Sequence, residues 1–309
     1  MWTFVVQRLL RAAFVCLGIS LITFALLHVV GDPVLLLLPQ EASDKDVALL
    51  KEKLGLDRPL WVQYGVFLGD ALRGDFGQSL FTQESALALI WERMPATLEL
   101  TLAGMLVGIG IAIPLGVVSA IRRGSLTDRL CTVAAVAGQA MPIFWLGIML
   151  IILFAVQLRL LPASGRGTPA HLILPAITLG AYLAPLTMRL TRSGMLDVLT
   201  QDYIRTARAK GVGERILLFK HALRNAAIPI VTILGVQFGR LLGGAIVTET
   251  VFAWPGVASL AVKAIHTYDY PVVQGSVLLL ALLIVLVNLL TDIAVTYLDP
   301  RIRLEERNA

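Results

Sequence analysis

Long apolar stretches alternate with polar segments along this chain, and they predict helices that cross a membrane. The hydrocarbon core of a bilayer, about 30 Å thick, requires about 20 apolar residues of helix. Six stretches have this length, and we place them at residues 9–30, 98–121, 132–157, 171–190, 227–247 and 275–297. The pattern therefore predicts an all-α polytopic membrane protein with six transmembrane helices.

Residues 191–225, which we call the basic loop, form a polar segment with helical periodicity of its own. Apolar residues recur at helical spacing within Met195–Ala207, which predicts an amphipathic helix. Its apolar positions are Leu196, Leu199, Tyr203 and Ala207. Gly211 and Gly213 then supply flexible backbone positions, and a second helix is expected to begin near Glu214. On that second helix Ile216, Phe219 and Leu223 are expected to face one way. The loop is thus predicted to contain two short helices that meet at a glycine corner.

Composition independently indicates a membrane protein. Hydrophobic residues make up 57% of the chain and charged residues 15%, and mean hydropathy is +0.80. A soluble fold of this length needs more polar surface than that. The net charge of +5 could suggest nucleic acid binding, so the location of the positive charge matters. If the N-terminus is cytoplasmic, the segments predicted inside the cell hold 16 of the 26 Lys and Arg residues, which is the distribution typical of a membrane protein. We therefore predict that both termini are cytoplasmic, and we expect no nucleic acid partner.

Charge alone leaves two interpretations of the basic loop. A basic amphipathic segment can lie among anionic lipid headgroups as a surface anchor. A pair of helices broken by glycine is unusual for such an anchor, which favours a structured element that contacts another protein.

Two short motifs in the basic loop resemble the EAA loop of ABC importer permeases, in the variant typical of the peptide/nickel type. RTARAKG ends at Gly211, and HALRNA begins at His221 after nine intervening residues. They stand in for the general EAA-x3-G and I-x-L-P elements. Arg205 replaces the Glu and Arg224 replaces the Pro, as is usual in that subfamily. The resemblance implies a type I importer permease fold and a loop that docks in a cleft of a cytoplasmic ATPase subunit.

The resemblance extends over nearly the whole chain. Further motifs similar to this family are GDPV at 31–34, LGLDRPLWVQY and GDFGQSL in the outer loop, MPATLEL at 94–100, MPIFWLG at 141–147 and DYPVVQG at 269–275. Val30 before GDP is a departure, since many relatives have Pro there. The chain as a whole, residues 1–309, is therefore expected to form one permease domain in the bacterial inner membrane.

The resemblance also implies residue roles and partners. The residues expected to couple the chain to an ATPase are Asp202, Tyr203, Arg205, Thr206, Ala207, Arg208, Ala209, Lys210, Gly211, His221, Leu223, Arg224 and Asn225. The expected partners are a second, homologous permease, two ATP-binding subunits that carry ATP and Mg, and an outer substrate-binding protein. Short peptides are the leading substrate class, and nickel chelates, glutathione-like peptides and oligosaccharides remain open.

The outer loop, residues 31–95, is predicted to carry two short helices. Ser43-x-x-Asp46 can cap the first, and Gly55 lies at its expected end. The second is expected to follow Pro59 and to end at Gly74.

The fifth apolar stretch contains candidates for the translocation path. Gly235, Gly239 and Gly243 recur every four residues and share one helical face, which predicts close helix packing or a face that lines the path. Gly104 and Gly108 form a similar pair in the second stretch, where they are expected to serve packing.

Charged residues near these glycines have two interpretations each. Arg240, inside the fifth stretch, is expected to face protein or water, either along the path or in a pair with Asp292 or exposed backbone. Glu249, Trp254 and Asp269 flank the expected outer mouth. There the carboxylates are either simply solvated or contact the receptor.

Signatures of catalysis and of metal binding are missing from the sequence. None of the six lysines follows a glycine, so the chain lacks a standard P-loop. The four histidines and two cysteines have no metal-ligand spacing, so we predict no metal and no catalytic site, with Cys16 and Cys131 as packing residues.

Three functions compete at this point. The preferred one is the permease subunit of a binding-protein-dependent ABC importer, with ATP hydrolysis on other subunits. A secondary transporter acting alone would favour paired intramembrane acids and inverted repeats, which are not evident here. A scaffold or channel would not need the paired helices of the basic loop.

Overall fold

A computed structural model describes residues 2–30, 34, 38 and 43–298 of the chain. Among these residues the regular structure is helical, with one isolated β-bridge between Gln78 and Ser85. The chain divides into two compact units. One contains the residues up to Thr97 together with Pro255–Val285, and the other contains Leu98–Trp254 together with the residues from Leu286 onward.

The first unit begins with a long helix and continues into the two short helices of the outer loop. Its helices are α1 (Trp2–Val30), α2 (Asp44–Leu54), α3 (Leu60–Leu72), the first part of α4 (Ala86–Ile121), α11 (Val257–His266) and the first part of α12 (Tyr270–Leu298). The capping box predicted for α2 is confirmed, because the Ser43 side chain accepts from Asp46 N and Asp46 accepts from Ser43 N. Gly55 ends α2 in the left-handed region, as predicted.

Aromatic contacts join α1 to α3. The ring of Phe24 lies 5.4 Å from that of Tyr64 and 6.3 Å from that of Phe67, measured between centroids. The hydroxyl groups of Ser20 and Tyr64 are hydrogen bonded at 2.9 Å. The second helix of the outer loop, α3, is therefore held to α1 by both apolar and polar contacts.

The second unit contains the long helices around the basic loop. They are the second part of α4, α5 (Leu126–Ala140), α6 (Ile143–Leu150) with a π-helical extension (Ile151–Gln157), α7 (Pro169–Leu199), α8 (Asp202–Ala209), α9 (Glu214–Ile216), a π-helical segment (Leu217–Ala222), α10 (Leu223–Val251) and the end of α12. Helices α9 and α10 are joined through the π-helical segment without a break, since its flanking residues Ile216 and Leu223 keep helical backbone angles.

Small residues allow α4 and α7 to cross at very short range. A Cβ atom added to Gly180 would lie 2.8 Å from the carbonyl oxygen of Gly104 and 2.9 Å from the amide nitrogen of Gly108. Such contacts between backbones exclude any side chain at Gly180. The predicted packing role of Gly104 and Gly108 is thus confirmed, and the partner surface is α7.

Length and composition confirm only part of the predicted set of spans. Four helices among the described residues are long and apolar enough to cross a membrane, namely Ala86–Ile121, Pro169–Leu199, Pro229–Val251 and Tyr270–Ile293. A fifth is possible if α5 and the α6 segment form one span. In α1 the apolar stretch is the shorter Leu10–Ala25. The count of six is therefore not confirmed.

The third predicted span, 132–157, is wrong as a continuous helix. Helices α5 and α6 meet at an angle of 103°. The break falls at Met141, which has an extended ψ of 128° and precedes Pro142. Proline crowds the preceding residue out of the helical region, so the chain turns there.

The two short helices predicted in the outer loop are confirmed, although the last ten residues assigned to that loop belong to α4. The description of the whole chain as one permease domain stays a prediction.

Candidate functional site

The basic loop consists of two helical segments that meet at a left-handed glycine. The first, α8, spans Asp202–Ala209, and Gly211 follows with φ of 78°. The second begins at Glu214, as predicted, and continues into α10. The prediction of one helix over Met195–Ala207 is wrong, because α7 continues to Leu199 and the chain turns at Thr200 and Gln201 before α8 begins.

A small apolar core holds the two segments together. Ile204, Leu217 and Ala222 are fully buried. They pack in one cluster with residues of α4, α7 and α10, namely Val117, Ala120, Met195 and Ala226. Ile204 lies off the predicted apolar stripe, because the turn before α8 rotates the helix relative to α7. The buried position two residues into α8 was therefore missed from the sequence.

An ion pair spans the glycine corner. The Nε of Arg208 donates to Glu214 Oε1 at 2.7 Å, so the end of α8 is tied to the start of α9. The hydrogen bonds from Arg208 lower the pKa of the Glu214 carboxyl below its ordinary value. Both side chains are about half exposed, so the pair orients the corner more than it stabilises the fold.

A second polar contact joins the two segments on another side. The Asn225 side-chain amide donates to the Tyr203 hydroxyl at 2.7 Å and to the His221 carbonyl oxygen at 3.1 Å. This links the start of α8 to the start of α10. Motion of α8 would therefore be transmitted to α10 through a direct hydrogen bond as well as through the buried core.

The exposed surface of the basic loop combines apolar and basic side chains. Tyr203, Ile216 and Phe219 are 43%, 54% and 60% exposed. The exposed basic side chains around them are Arg205, Arg208, Lys210, Arg215, Lys220 and Arg224. The expectation that Ile216 and Phe219 face one way agrees with their exposure, whereas Leu223 is half-buried. Exposed large apolar side chains in a basic surface are typical of a protein-binding site.

Most of the residues expected to couple the chain to an ATPase lie on this surface. The exposed ones are Asp202, Tyr203, Arg205, Thr206, Arg208, Ala209, Lys210, Gly211, Arg224 and Asn225. Ala207, His221 and Leu223 are half-buried, and Ala207 and Leu223 pack against the core. The geometry brings the two motifs together, and their coupling role stays a prediction.

The three glycines of α10, Gly235, Gly239 and Gly243, do not share one packing surface. Gly235 packs against the Thr291 side chain of α12, whereas Gly243 has open space where a side chain would be. Gly239 is half-buried. Arg240 is exposed, and its Nη1 donates to Gln237 Oε1 at 3.2 Å on the same helix. The role of these residues in a translocation path stays a prediction.

The three residues expected at the outer mouth are buried. Glu249 is 0% exposed, Trp254 1% and Asp269 5%. Asp269 accepts hydrogen bonds from Ser79 Oγ at 2.5 Å and from Leu80 N at 3.2 Å. The guanidinium of Arg166 lies 5.9 Å from the centre of the Trp254 ring. The interpretation that these carboxylates are simply solvated is therefore wrong, and a receptor contact stays a prediction.

An ion pair with a buried carboxylate lies near the basic loop and was missed from the sequence. The Asp128 carboxylate of α5 accepts from Arg192 Nε at 2.8 Å and from Arg192 Nη2 at 2.9 Å, and also from Ser119 Oγ and Gly124 N. The pair connects the turn between α4 and α5 to the last turns of α7. The bidentate ion pair and these two further hydrogen bonds offset the cost of burying the carboxylate, which is 5% exposed. The sequence shows only a charged residue in a predicted cytoplasmic turn, which does not indicate a buried partner.

No group of three or more potential metal ligands occurs within the part of the chain that the structure describes. The absence of a metal from this chain nevertheless stays a prediction.

The chain matches models of known protein families along nearly its whole length. A family model described as "Binding-protein-dependent transport system inner membrane component" matches residues 112–304, which include the whole loop. The model of the N-terminal component of the same kind of system matches residues 1–101. The chain belongs to this family of inner-membrane transport components. It is therefore a multi-pass permease subunit of an ABC importer.

Relatives of this permease match it over almost the full length. It is 41% identical to the dipeptide transport system permease protein DppB of Alkalihalophilus pseudofirmus, over 98% of this chain and 100% of the relative. It is also 41% identical to the glutathione transport system permease protein GsiC of Escherichia coli, over 98% of this chain and 99% of the relative. An inward-facing structure of the MetNI methionine ABC transporter aligns with a TM-score of 0.59 at 20% identity, over 69% of this chain and 97% of that chain. This likeness supports the type I permease fold.

Proposed function

We propose that this permease subunit forms half of the translocation path of an importer for short peptides. The two relatives above are named for dipeptide and for glutathione transport, and glutathione is itself a tripeptide. A peptide substrate is the chemistry that the two names share. The sequence resemblance to peptide-type permeases supports the same class.

The basic loop is proposed to be the surface that receives motion from an ATP-binding subunit. The observation that carries this proposal is the pair of helical segments at Gly211, with exposed Tyr203, Ile216 and Phe219 among basic side chains. The second segment continues directly into α10, one of the candidate spans. A push on the loop would therefore act on a spanning helix without an intervening flexible linker.

The remaining parts of the importer are proposed to be separate chains. Family membership implies ATP-binding subunits and a substrate-binding protein as partners. We infer a second, homologous permease beside this one, two ATP-binding subunits that bind ATP and Mg, and a receptor on the outer side. ATP hydrolysis then occurs on the ATP-binding subunits and not on this chain. Both termini of this chain are proposed to be cytoplasmic.

Co-purification from native membranes tests this proposal. A tag on this chain should recover ATP-binding subunits, and Phe219→Asp should reduce their recovery, because a carboxylate would replace an apolar contact. Leu72→Asp is the matched control, since Leu72 is 82% exposed at the end of α3, outside the basic loop. Equal recovery with both variants would show that the loop does not bind the ATP-binding subunits. The basic loop would then serve as a lipid-surface anchor.

A further inference from the structure

A cavity of about 230 Å³ lies within the first unit. Its walls come from α1, from the turn between α2 and α3, from α3, from the segment that follows α3 and from the start of α12. Most of the wall is apolar and includes Phe24, Leu56, Val66, Phe67, Leu80 and Pro271. We call this cavity the outer pocket, because the predicted topology places all these segments on the outer side.

One half of the outer pocket is fixed by contacts behind its wall. Phe24 stacks on Phe67 with a centroid distance of 6.3 Å, which joins α1 to α3. The Gln63 side-chain amide donates to the Leu56 carbonyl oxygen at 3.2 Å and to the Arg58 carbonyl oxygen at 2.7 Å. The turn between α2 and α3 is thereby tied to α3, so this half of the pocket is formed in advance of any ligand.

The other half is fixed by Asp269. Its carboxylate accepts hydrogen bonds from the Ser79 hydroxyl and the Leu80 amide, and so holds the segment after α3 beside the start of α12. Asp269 directly precedes Tyr270 and Pro271, which line the pocket. The buried carboxylate thus sets the distance between two walls. This is a positioning role for a residue that the sequence placed at the outer mouth.

An amide without a hydrogen-bond partner lines the outer pocket. Gln274 lines it and is only 8% exposed. Its side chain makes no hydrogen bond to any other residue that the structure describes. Among the described residues, Ser276 Oγ is the one fully buried side-chain polar atom that lacks a partner, so the Gln274 amide is not sealed in the interior but is open to the pocket. Gln274 is therefore available to donate to or accept from a bound molecule.

Charge and size narrow the choice of that molecule. Arg58 is the one charged residue of the lining, and it is exposed, so an anionic group of the ligand can meet it at the solvent side. Pockets for drug-sized ligands measure about 300–1,000 Å³, so this smaller cavity fits a single residue and not a whole oligopeptide. A lipid acyl chain would fill the apolar part but would leave the Gln274 amide unpaired.

We propose that the outer pocket binds the carboxyl-terminal residue of a transported peptide when the side chain of that residue is large and apolar. The side chain occupies the apolar wall, the last peptide group bonds to Gln274, and the terminal carboxylate meets Arg58. This inference rests on the proposed function, in which this permease carries peptides. It assigns to the permease a selection step of its own, after delivery of the substrate by the receptor.

Uptake by the complete transporter in proteoliposomes tests the proposal. Initial rates are measured for Ala-Ala-Phe and Ala-Ala-Ala with saturating receptor. Gln274→Leu removes the amide, and Val66→Phe fills the cavity. Gln274→Leu should lower uptake of Ala-Ala-Phe about three- to tenfold relative to Ala-Ala-Ala, the size expected for one lost hydrogen bond. Val66→Phe should also lower uptake of Ala-Ala-Phe relative to Ala-Ala-Ala, because it takes up the space for the large side chain. Val62→Phe is the matched control, because Val62 lies one turn away on α3 and does not line the pocket. It should change neither rate.

A second measurement separates this proposal from the proposed function. The nanodisc-embedded complex is photo-crosslinked without receptor to Ala-Ala-photoleucine, and labelled residues are mapped by mass spectrometry. Labels at residues 56–80 or 270–274 support the pocket if Val66→Phe removes them. This holds even if the wild-type transporter imports neither peptide, a result that would contradict the proposed peptide import but not the pocket. Equal loss of both uptake rates in the variants, or no label, overturns the pocket proposal. A phospholipid that co-purifies with the wild type and is lost with Val66→Phe, without peptide labelling, overturns it in favour of lipid.

Discussion

Gly211 and Gly213 lie two residues apart in the basic loop but have opposite backbone requirements. Gly211 has φ of 78°, in the left-handed region, whereas Gly213 has φ of −60°, which any residue adopts. A Cβ atom at either position would meet nothing within 4 Å. Only the backbone angle therefore distinguishes the two glycines, and the pair offers a test of the corner that is free of steric clashes.

We expect Gly211→Val to uncouple the transporter and Gly213→Val to leave it active. The left-handed conformation costs a residue with a side chain about 1–2 kcal/mol, and a β-branched side chain suffers most. The corner should open while the spans stay folded. Uptake and receptor-stimulated ATP hydrolysis should fall together in Gly211→Val, as measured in proteoliposomes. Gly211→Asn should retain more activity, because Asn tolerates this region. Full uptake and stimulation in Gly211→Val would exclude the corner as the coupling element.

Arg240 is a residue for which the sequence left two interpretations open. The structure exposes it and gives it a hydrogen bond to Gln237 on its own helix. Removal of the guanidinium therefore leaves no buried charge behind. We expect Arg240→Leu to assemble normally and to change the rate of uptake. Loss of the assembled complex on size-exclusion chromatography would instead indicate a buried ion pair, whose disruption costs about 3–5 kcal/mol.

At the scale of helices, the structure differs from the prediction where local sequence does not determine whether a helix ends. The caps of α2 were predictable, because Ser43, Asp46 and Gly55 act locally. The bend between α5 and α6 was not, since proline also lies inside α7 at Pro175 and Pro185 without ending that helix. Whether a proline breaks a helix depends on neighbouring helices that satisfy the freed backbone groups, and a single sequence does not contain that information.

The Asp128–Arg192 pair is the contact that fixes α5 against α7 next to the basic loop. The Asp128 side chain is 7% exposed and that of Arg192 is 29% exposed. We expect Asp128→Asn to lower the thermal midpoint of the purified complex markedly, because it leaves Arg192 without its charged partner. Glu99→Gln is the control. Its partner Arg166 and Glu99 itself are each 39% exposed, so the loss there should be about 0–1 kcal/mol.

The same pair gives a test beyond stability. The reversed pair, Asp128→Arg with Arg192→Asp, should recover part of the thermal midpoint that either single change loses, because it restores the attraction between the two charges. Uptake by the same variant tests whether the pair also transmits motion from the end of α7. Recovery of the midpoint without recovery of uptake would show that the pair also acts in transport. If the reversed pair is no more stable than either single variant, the ion pair is not the source of the stability.

For the whole molecule, composition and apolar length sufficed to predict an all-α membrane protein, and the motifs sufficed to predict its family. Individual buried positions were harder to predict from the sequence. Ile204 and Gln274 are single positions within long patterns, and their burial depends on contacts that are distant in sequence. The orientation of the chain depends on the distribution of charge and is not a property of the folded helices, so it needs a direct experiment.

The last prediction concerns that orientation. The segment from Arg189 to Arg224, which includes most of the basic loop, carries eight of the 16 basic residues that we place inside, and such a segment resists translocation. A protease site placed after Ala309 should therefore be protected in intact spheroplasts, whereas one inserted between Asp44 and Lys45 should be cut. Both sites should be cut after the membrane is opened with detergent, which controls for accessibility. The opposite pattern in intact spheroplasts would place the basic loop on the outer side. It could not then meet an ATP-binding subunit in the cytoplasm, so the same result would also exclude the proposed coupling role.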